Sequence, residues 1–130
     1  MYYPVAIEPG TDAEAFGVIV PDLPGCFSAG DTMDEALINA EEAISAWVEA
    51  ALDAGQAIPS PSTIDILRKA RKAPKGWVWA LVKIDPAAID DTLERVNISL
   101  PRRILRRLDS RAKDAGETRS GYIARMALEH

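Results

Sequence analysis

The chain has 130 residues, of which 48% are hydrophobic and 27% charged, with a formal net charge of −5. That balance fits one ordinary domain or two small ones and excludes a disordered chain. No run approaches the roughly 20 apolar residues of a membrane span, and "MYYPVAIEPG" lacks the basic region and apolar core of a signal peptide. No membrane partner is therefore expected.

A single cysteine, Cys26, excludes an intrachain disulfide framework and fits a reducing cytoplasm. The one histidine, His130, is the last residue and poorly placed to ligate a metal or act as a base. Neither a metal nor a cofactor is expected. The net charge divides unevenly. Residues 1–94 hold six Lys/Arg against sixteen Asp/Glu, a balance of −10, whereas residues 95–130 hold nine against four, a balance of +5. Such asymmetry points to different partners for the two ends, with a polyanion at the basic one.

In chain order, β-favouring residues predict strands over Tyr2–Glu8, Ala15–Val20 and Cys26–Gly30, separated by Pro9-Gly10 and by "PDLPG". Thr32 and Glu35 have the spacing of a capping box, which opens a long helix. In it Met33, Leu37, Ala40, Ile44, Trp47, Val48 and Ala51 recur at three- and four-residue steps. Asp34, Glu41, Glu42 and Glu49 occupy the opposite face, and Gly55 is the natural stop. After "IPSPS", Ser62 is placed to cap a shorter helix holding Ile64, Leu67 and Arg68 to Arg71, ended by Pro74 and Gly76. "WVWALVKI", Trp77–Ile84, is apolar on both faces, as in a central strand or one buried at an interface. The order β-β-β-α-α-β makes an α+β domain over residues 1–84. The acidic "DPAAIDDTLE", residues 85–94, is the expected linker.

From Arg95 the pattern changes twice. Val96, Ile98 and Leu100 face one way in a predicted strand, and Arg95, Asn97 and Ser99 face the other. Pro101 suits the first turn of a helix, where its missing N–H costs nothing. Ile104, Leu105, Leu108 and Ala112 give that helix one apolar face amid Arg102, Arg103, Arg106, Arg107 and Arg111. Gly116 ends it. Thr118 then caps a second helix whose apolar side is Tyr122, Ile123, Met126 and Ala127. Strand, helix and helix in 36 residues bury too little surface to be stable alone, and a lone strand leaves its backbone groups unpaired. Two chains pairing their strands antiparallel would cure both defects, and the two-stranded ribbon they form is one the DNA major groove admits.

Residues 95–130, through "RVNISLP", the Arg-rich helix and "GETRSGYI", resemble the ribbon-helix-helix family of DNA-binding proteins. The resemblance implies that Arg95, Asn97 and Ser99 read base edges. It also implies that Thr118, Arg119 and Ser120, at the start of the second helix, hold a backbone phosphate. Gly17–Ile44, "GVIVPDLPGCFSAGDTMDEALINAEEAI", resembles the HicB family of bacterial antitoxins. That family implies a reduced ribonuclease-H-like N-terminal fold. Its implied partner is a HicA-type toxin, a small basic ribonuclease that cleaves mRNA. The expected protein is then a HicAB-type antitoxin that neutralises its toxin, represses its own operon and dimerises through its C-terminal domain. A second interface at Trp77–Ile84 would make it a tetramer.

Two other readings stay open at this level. One is a stand-alone ribbon-helix-helix repressor whose N-terminal domain binds a ligand or oligomerises. The other is a metal-dependent nuclease using Glu8, Asp22 and Asp31, but a two-metal site needs several carboxylates converging from strand ends to hold two cations about 4 Å apart, and no histidine or activated nucleophile supports it. No catalytic residue is assigned.

Overall fold

A computed structural model describes residues 1–129; His130, set aside above as a metal ligand, lies outside the described residues. The chain divides into two compact units, Met1–Asp91 and a second beginning at Thr92.

The first unit is a four-stranded antiparallel sheet with helices. Strand β1 (Tyr2–Glu8) pairs with β2 (Phe16–Ile19), which pairs with β3 (Phe27–Gly30). Helices α1 (Met33–Asp53) and α2 (Ile64–Lys69) follow, then β4 (Val78–Lys83), which returns beside β1 to give the order β3-β2-β1-β4. Strands β2 and β3 are shorter than the sequence predicts by one or two residues at their ends.

Of the two settings left open for Trp77–Ile84, the central one is excluded: β4 is an edge strand, hydrogen-bonded to β1 alone among the described strands. The doubly buried strand is instead β1, in which Tyr3, Pro4, Val5, Ala6 and Ile7 are all buried. Pro4 is tolerated because β2 reaches along β1 only from Ala6 to Glu8, so at Pro4 the strand has a neighbour on one side only.

Ala36, Ala40, Ile44 and Val48 of α1 are buried with Tyr3, Val5 and Ile7 of β1, Val18 and Val20, Leu23, and Val82 and Ile84. These residues form one apolar layer between the helix and one face of the sheet. Gly30 makes the approach of β3 to α1 feasible, since a Cβ there would lie 2.8 Å from the Ala36 Cα. Thr32 caps α1 as expected: its hydroxyl accepts from the Glu35 N–H at 3.1 Å. The Glu35 carboxylate reaches back to the Asp31 N–H rather than to that of Thr32, at 3.4 Å. Indole Nε1 of Trp47 donates to the Pro24 carbonyl at 2.9 Å, tying the "PDLPG" turn to the helix.

Ser62 does not cap α2; Thr63 does, accepting from the Ile66 N–H at 3.2 Å. Ser62 donates through both its N–H (2.8 Å) and its hydroxyl (2.7 Å) to the Asp22 carboxylate, stapling two loops together. Hydrogen bonds to a carboxylate are stronger than the neutral bond of a hydroxyl to a helix N–H. After β4, a single 3₁₀ turn, Pro86–Ile89, packs Ile89 against the core. This turn lies within residues 85–94, the expected linker.

The second unit contains helix α3 (Arg102–Asp114) and helix α4 (Arg119–Glu129). Residues 91–100 form neither helix nor strand. The chain as a whole is a mixed α+β protein with a four-stranded antiparallel sheet and four α-helices among the described residues. None of those helices is long and apolar enough to cross a membrane.

Candidate nucleic-acid interface

The basic unit is built from two amphipathic helices with very little interior. Ile104, Leu105 and Leu108 of α3 and Tyr122, Ile123 and Met126 of α4 are only half-buried; Ala112 is the one buried residue among those described in this unit. Ala127, expected on the buried side of α4, is exposed. Two short helices of one chain have too few apolar atoms to shield each other from water.

The segment before α3 shows the same shortfall. Val96, Ile98 and Leu100 are 71%, 65% and 38% exposed, although they are the apolar side of the predicted strand. No ladder forms there, and the second unit holds no other strand among its described residues for the segment to pair with. Arg95, Asn97 and Ser99 are exposed as well. Pro101 sits one residue earlier than expected, at the N-cap of α3, with its carbonyl accepting from the N–H groups of Ile104 (2.9 Å) and Leu105 (3.0 Å).

Gly116 closes α3 in a left-handed conformation (φ 69°). Its N–H donates to the Lys113 carbonyl at 3.0 Å, and the Glu117 N–H donates to that of Ala112 at 2.8 Å. This tight reversal brings the start of α4 beside α3. Thr118 caps α4, its hydroxyl accepting from the Gly121 N–H at 3.1 Å. The N–H groups of Arg119 and Ser120 have no acceptor among the described residues. They form a positive helix end of the kind that accepts an anion.

The Arg119 side chain is already engaged. Its Nε and Nη2 donate to the two oxygens of Asp109 at 2.8 and 2.9 Å, and that fork holds the Asp109 carboxyl below the usual carboxylate range. Sequence reasoning missed this pair, since ten residues separate the partners and only the Gly116 reversal brings them together. Arg125 is likewise occupied, by Glu117 and Glu129 at 2.6 Å each, and lies over the Tyr122 ring. The Glu129 contact has the i,i+4 spacing that a sequence can reveal.

Arg95, Arg102, Arg103, Arg106, Arg107, Arg111 and Lys113 have no carboxylate within 4 Å among the described residues. A depression of about 300 Å³ is lined by Ile98, Ser99, Leu100, Leu105 and Arg119. It brings one expected base-reading position, Ser99, beside one expected phosphate-binding position, Arg119. Arg95 and Asn97 lie outside it. Such a surface, rich in unpaired cations and with free helix N–H groups, can bind phosphates without any chemistry being done.

Carboxylates offered for the nuclease reading do not converge. Asp22 is committed to Ser62, and no group of three or more His, Cys, Asp or Glu residues able to hold a metal occurs among the described residues. Cys26 is buried, and burial pushes its thiol pKa up, away from the reactive thiolate.

Comparison with known proteins places this chain. A family profile described as HicB_like antitoxin of bacterial toxin-antitoxin system matches residues 3–127. An uncharacterized 14.9 kDa protein from the rep-hol intergenic region of Haemophilus phage HP1 is 35% identical, over 98% of this chain and 95% of that protein. The crystal structure of the Burkholderia pseudomallei antitoxin HicB is 39% identical, covers 99% of this chain and 97% of that one, and superposes with a TM-score of 0.59. A chain in a solved HicA3–HicB3 toxin–antitoxin complex is 32% identical over 66% of this chain and 100% of that one, with a TM-score of 0.50. The chain belongs to the HicB-like antitoxin family of bacterial toxin–antitoxin systems, a regulatory family rather than one of enzymes.

Proposed function

We propose that this antitoxin binds and neutralises a small, basic, mRNA-cleaving toxin of the HicA type, and represses its own operon through a C-terminal ribbon-helix-helix unit. It would do so in the bacterial cytoplasm. The reading takes residues 1–84 as the toxin-binding domain, with a reduced ribonuclease-H-like fold, residues 85–94 as the connection, and residues 95–130 as the DNA-binding domain. Exposure of Val96, Ile98 and Leu100 is the observation that carries it. An apolar stripe that alternates with Arg95, Asn97 and Ser99 is what one strand of a two-chain ribbon looks like before its partner arrives.

On that reading, two chains pair residues 96–100 antiparallel and bury the three apolar side chains together with the half-buried faces of α3 and α4. The opposite side of the ribbon then enters the major groove. Arg95 suits guanine and Asn97 suits adenine, each offering two hydrogen bonds to one base, while Ser99 adapts to either. The free N–H groups of Arg119 and Ser120, with the Thr118 hydroxyl, clamp a backbone phosphate and fix the register. Binding phosphate through the Arg119 side chain requires it to leave Asp109.

The acidic first unit supplies the other half. A charge of −10 over residues 1–94 steers a basic ribonuclease toward it, and a bound toxin is sterically closed to RNA. The match to a chain of a HicA3–HicB3 complex supports a toxin of that class as the partner.

Expressing the neighbouring small basic reading frame alone and together with this chain tests the proposal. Growth arrest by the neighbour and rescue by this chain are expected. A harmless neighbour, or arrest that this chain does not relieve, would remove the antitoxin mechanism.

A further inference from the structure

Every cation of the acidic unit lies in one sixteen-residue stretch, "RKARKAPKGWVWALVK", Arg68 to Lys83, which contains no carboxylate. Arg68 and Lys69 lie in the last turn of α2, where the helix dipole alone would favour them. That does not account for Arg71, Lys72, Lys75 or Lys83. All six are exposed, and none has a carboxylate within 4 Å among the described residues, despite the sixteen acidic residues of residues 1–94. An open groove of about 1120 Å³ is lined by Arg68, Arg71, Lys72, Lys75, Trp77 and Trp79, together with Ala73, Pro74 and Gly76. Arg71 holds a left-handed backbone conformation (φ 52°) that is uncommon outside glycine.

The tryptophans belong to the face of the sheet that α1 does not cover. Ala80 and Val82 of β4, and Ile84 just after it, join the apolar core. Alternation therefore sends Trp79, Leu81 and Lys83 to the other side, and Trp77, just before the strand, lines the same groove as Trp79. Register places Trp79 opposite Ala6, and Lys83 opposite Tyr2. Both indoles remain only half-buried. Half-buried aromatic rings on the sheet face opposite α1, bordered by unpaired cations, are an arrangement on which unpaired bases stack while their phosphates are neutralised.

We propose that this groove is a binding site for single-stranded nucleic acid, separate from the C-terminal DNA-binding unit. Trp77 and Trp79 stack bases, and Arg68, Arg71, Lys72 and Lys75 take the phosphates. Local charge decides this despite the negative total, because at physiological salt charges farther than about 8 Å are largely screened.

The three tryptophans of the chain, Trp47, Trp77 and Trp79, all lie in the first unit, so selectively excited tryptophan fluorescence reports on that unit alone. The experiment titrates the full-length protein with a 12-nucleotide single-stranded oligonucleotide across a range of salt. Saturable quenching is expected, with a slope of log K against log salt near −3, as about four phosphate contacts would give. Arg71→Gln combined with Lys72→Gln should flatten the slope by about 1.4 without disturbing the fold. Trp79→Leu should weaken binding roughly 5- to 150-fold. Arg95→Gln combined with Asn97→Ala should change neither.

Absence of quenching overturns the proposal. So does equal quenching by polyglutamate of matched charge, which would mark the groove as a site for an acidic peptide. Quenching that disappears with the C-terminal substitutions but survives the Arg71/Lys72 pair overturns it as well.

Discussion

The two units of this chain solve the problem of burying apolar surface differently. In the first, one 21-residue helix and a four-stranded sheet enclose a layer that includes Tyr3, Ile7, Leu23, Ile44 and Ile84, each essentially inaccessible to water. In the second, two helices shelter Ala112 and leave Val96, Ile98 and Leu100 outside. The first carries its own core, while the second buries only Ala112 among its described residues. That difference is the physical ground for the proposed pairing of the basic unit with an identical copy.

Breaking the proposed pairing should have the largest effect. Ile98→Asp places two like charges in the shared apolar stripe and should abolish dimerisation through the C-terminal unit. Sedimentation velocity should then show the loss of that association, and operator binding should disappear with it. An unchanged mass distribution would contradict the ribbon. Next comes the self-contained core: Ile44→Ala should cost about 2–5 kcal/mol, by the transfer and cavity terms of a buried aliphatic. Urea melts of the full chain followed by tryptophan fluorescence would measure it, and the Ile98 variant should leave that transition in place.

Asn97→Ala should weaken specific operator binding by about 1–3 kcal/mol and leave random-sequence DNA nearly unaffected. Asp109→Asn should have the smallest effect on stability, because the pair it breaks is exposed and screened. It should nevertheless tighten non-specific DNA binding by releasing Arg119 and removing a negative charge, as gel shifts at several salt concentrations would show. The sign with pH follows from the lowered Asp109 pKa. The ion pair's contribution is complete above the ordinary carboxylate value and is lost as pH falls through the lower, folded-state value. An NMR titration of the Arg119 side-chain N–H should see no release until well into the acid range.

Local chemistry made much of the fold legible. The Thr32 cap, the helical spacing from Met33 to Ala51 and the Tyr2–Glu8 strand depend on residues near one another in sequence. The edge position of β4 was not legible, because an apolar pattern on both faces does not say which neighbour covers the strand. In the fold, β1 takes the central place. The same locality explains the Ser62 error: nothing within a few residues of Ser62 reveals that Asp22, forty residues away, competes for it. In the candidate interface, Thr118 was readable as a cap, whereas the Asp109–Arg119 fork depends on a chain reversal. The six cations from Arg68 to Lys83 were visible as charge, but their convergence with Trp77 and Trp79 needed the sheet.

The most direct test titrates a fragment of the chain's own promoter with wild-type protein and with Asn97→Ala, following stoichiometry and affinity together by sedimentation. The account predicts an even number of chains per site and roughly 5- to 150-fold weaker binding for the variant. One chain per site, or an unchanged affinity in Asn97→Ala, would contradict it.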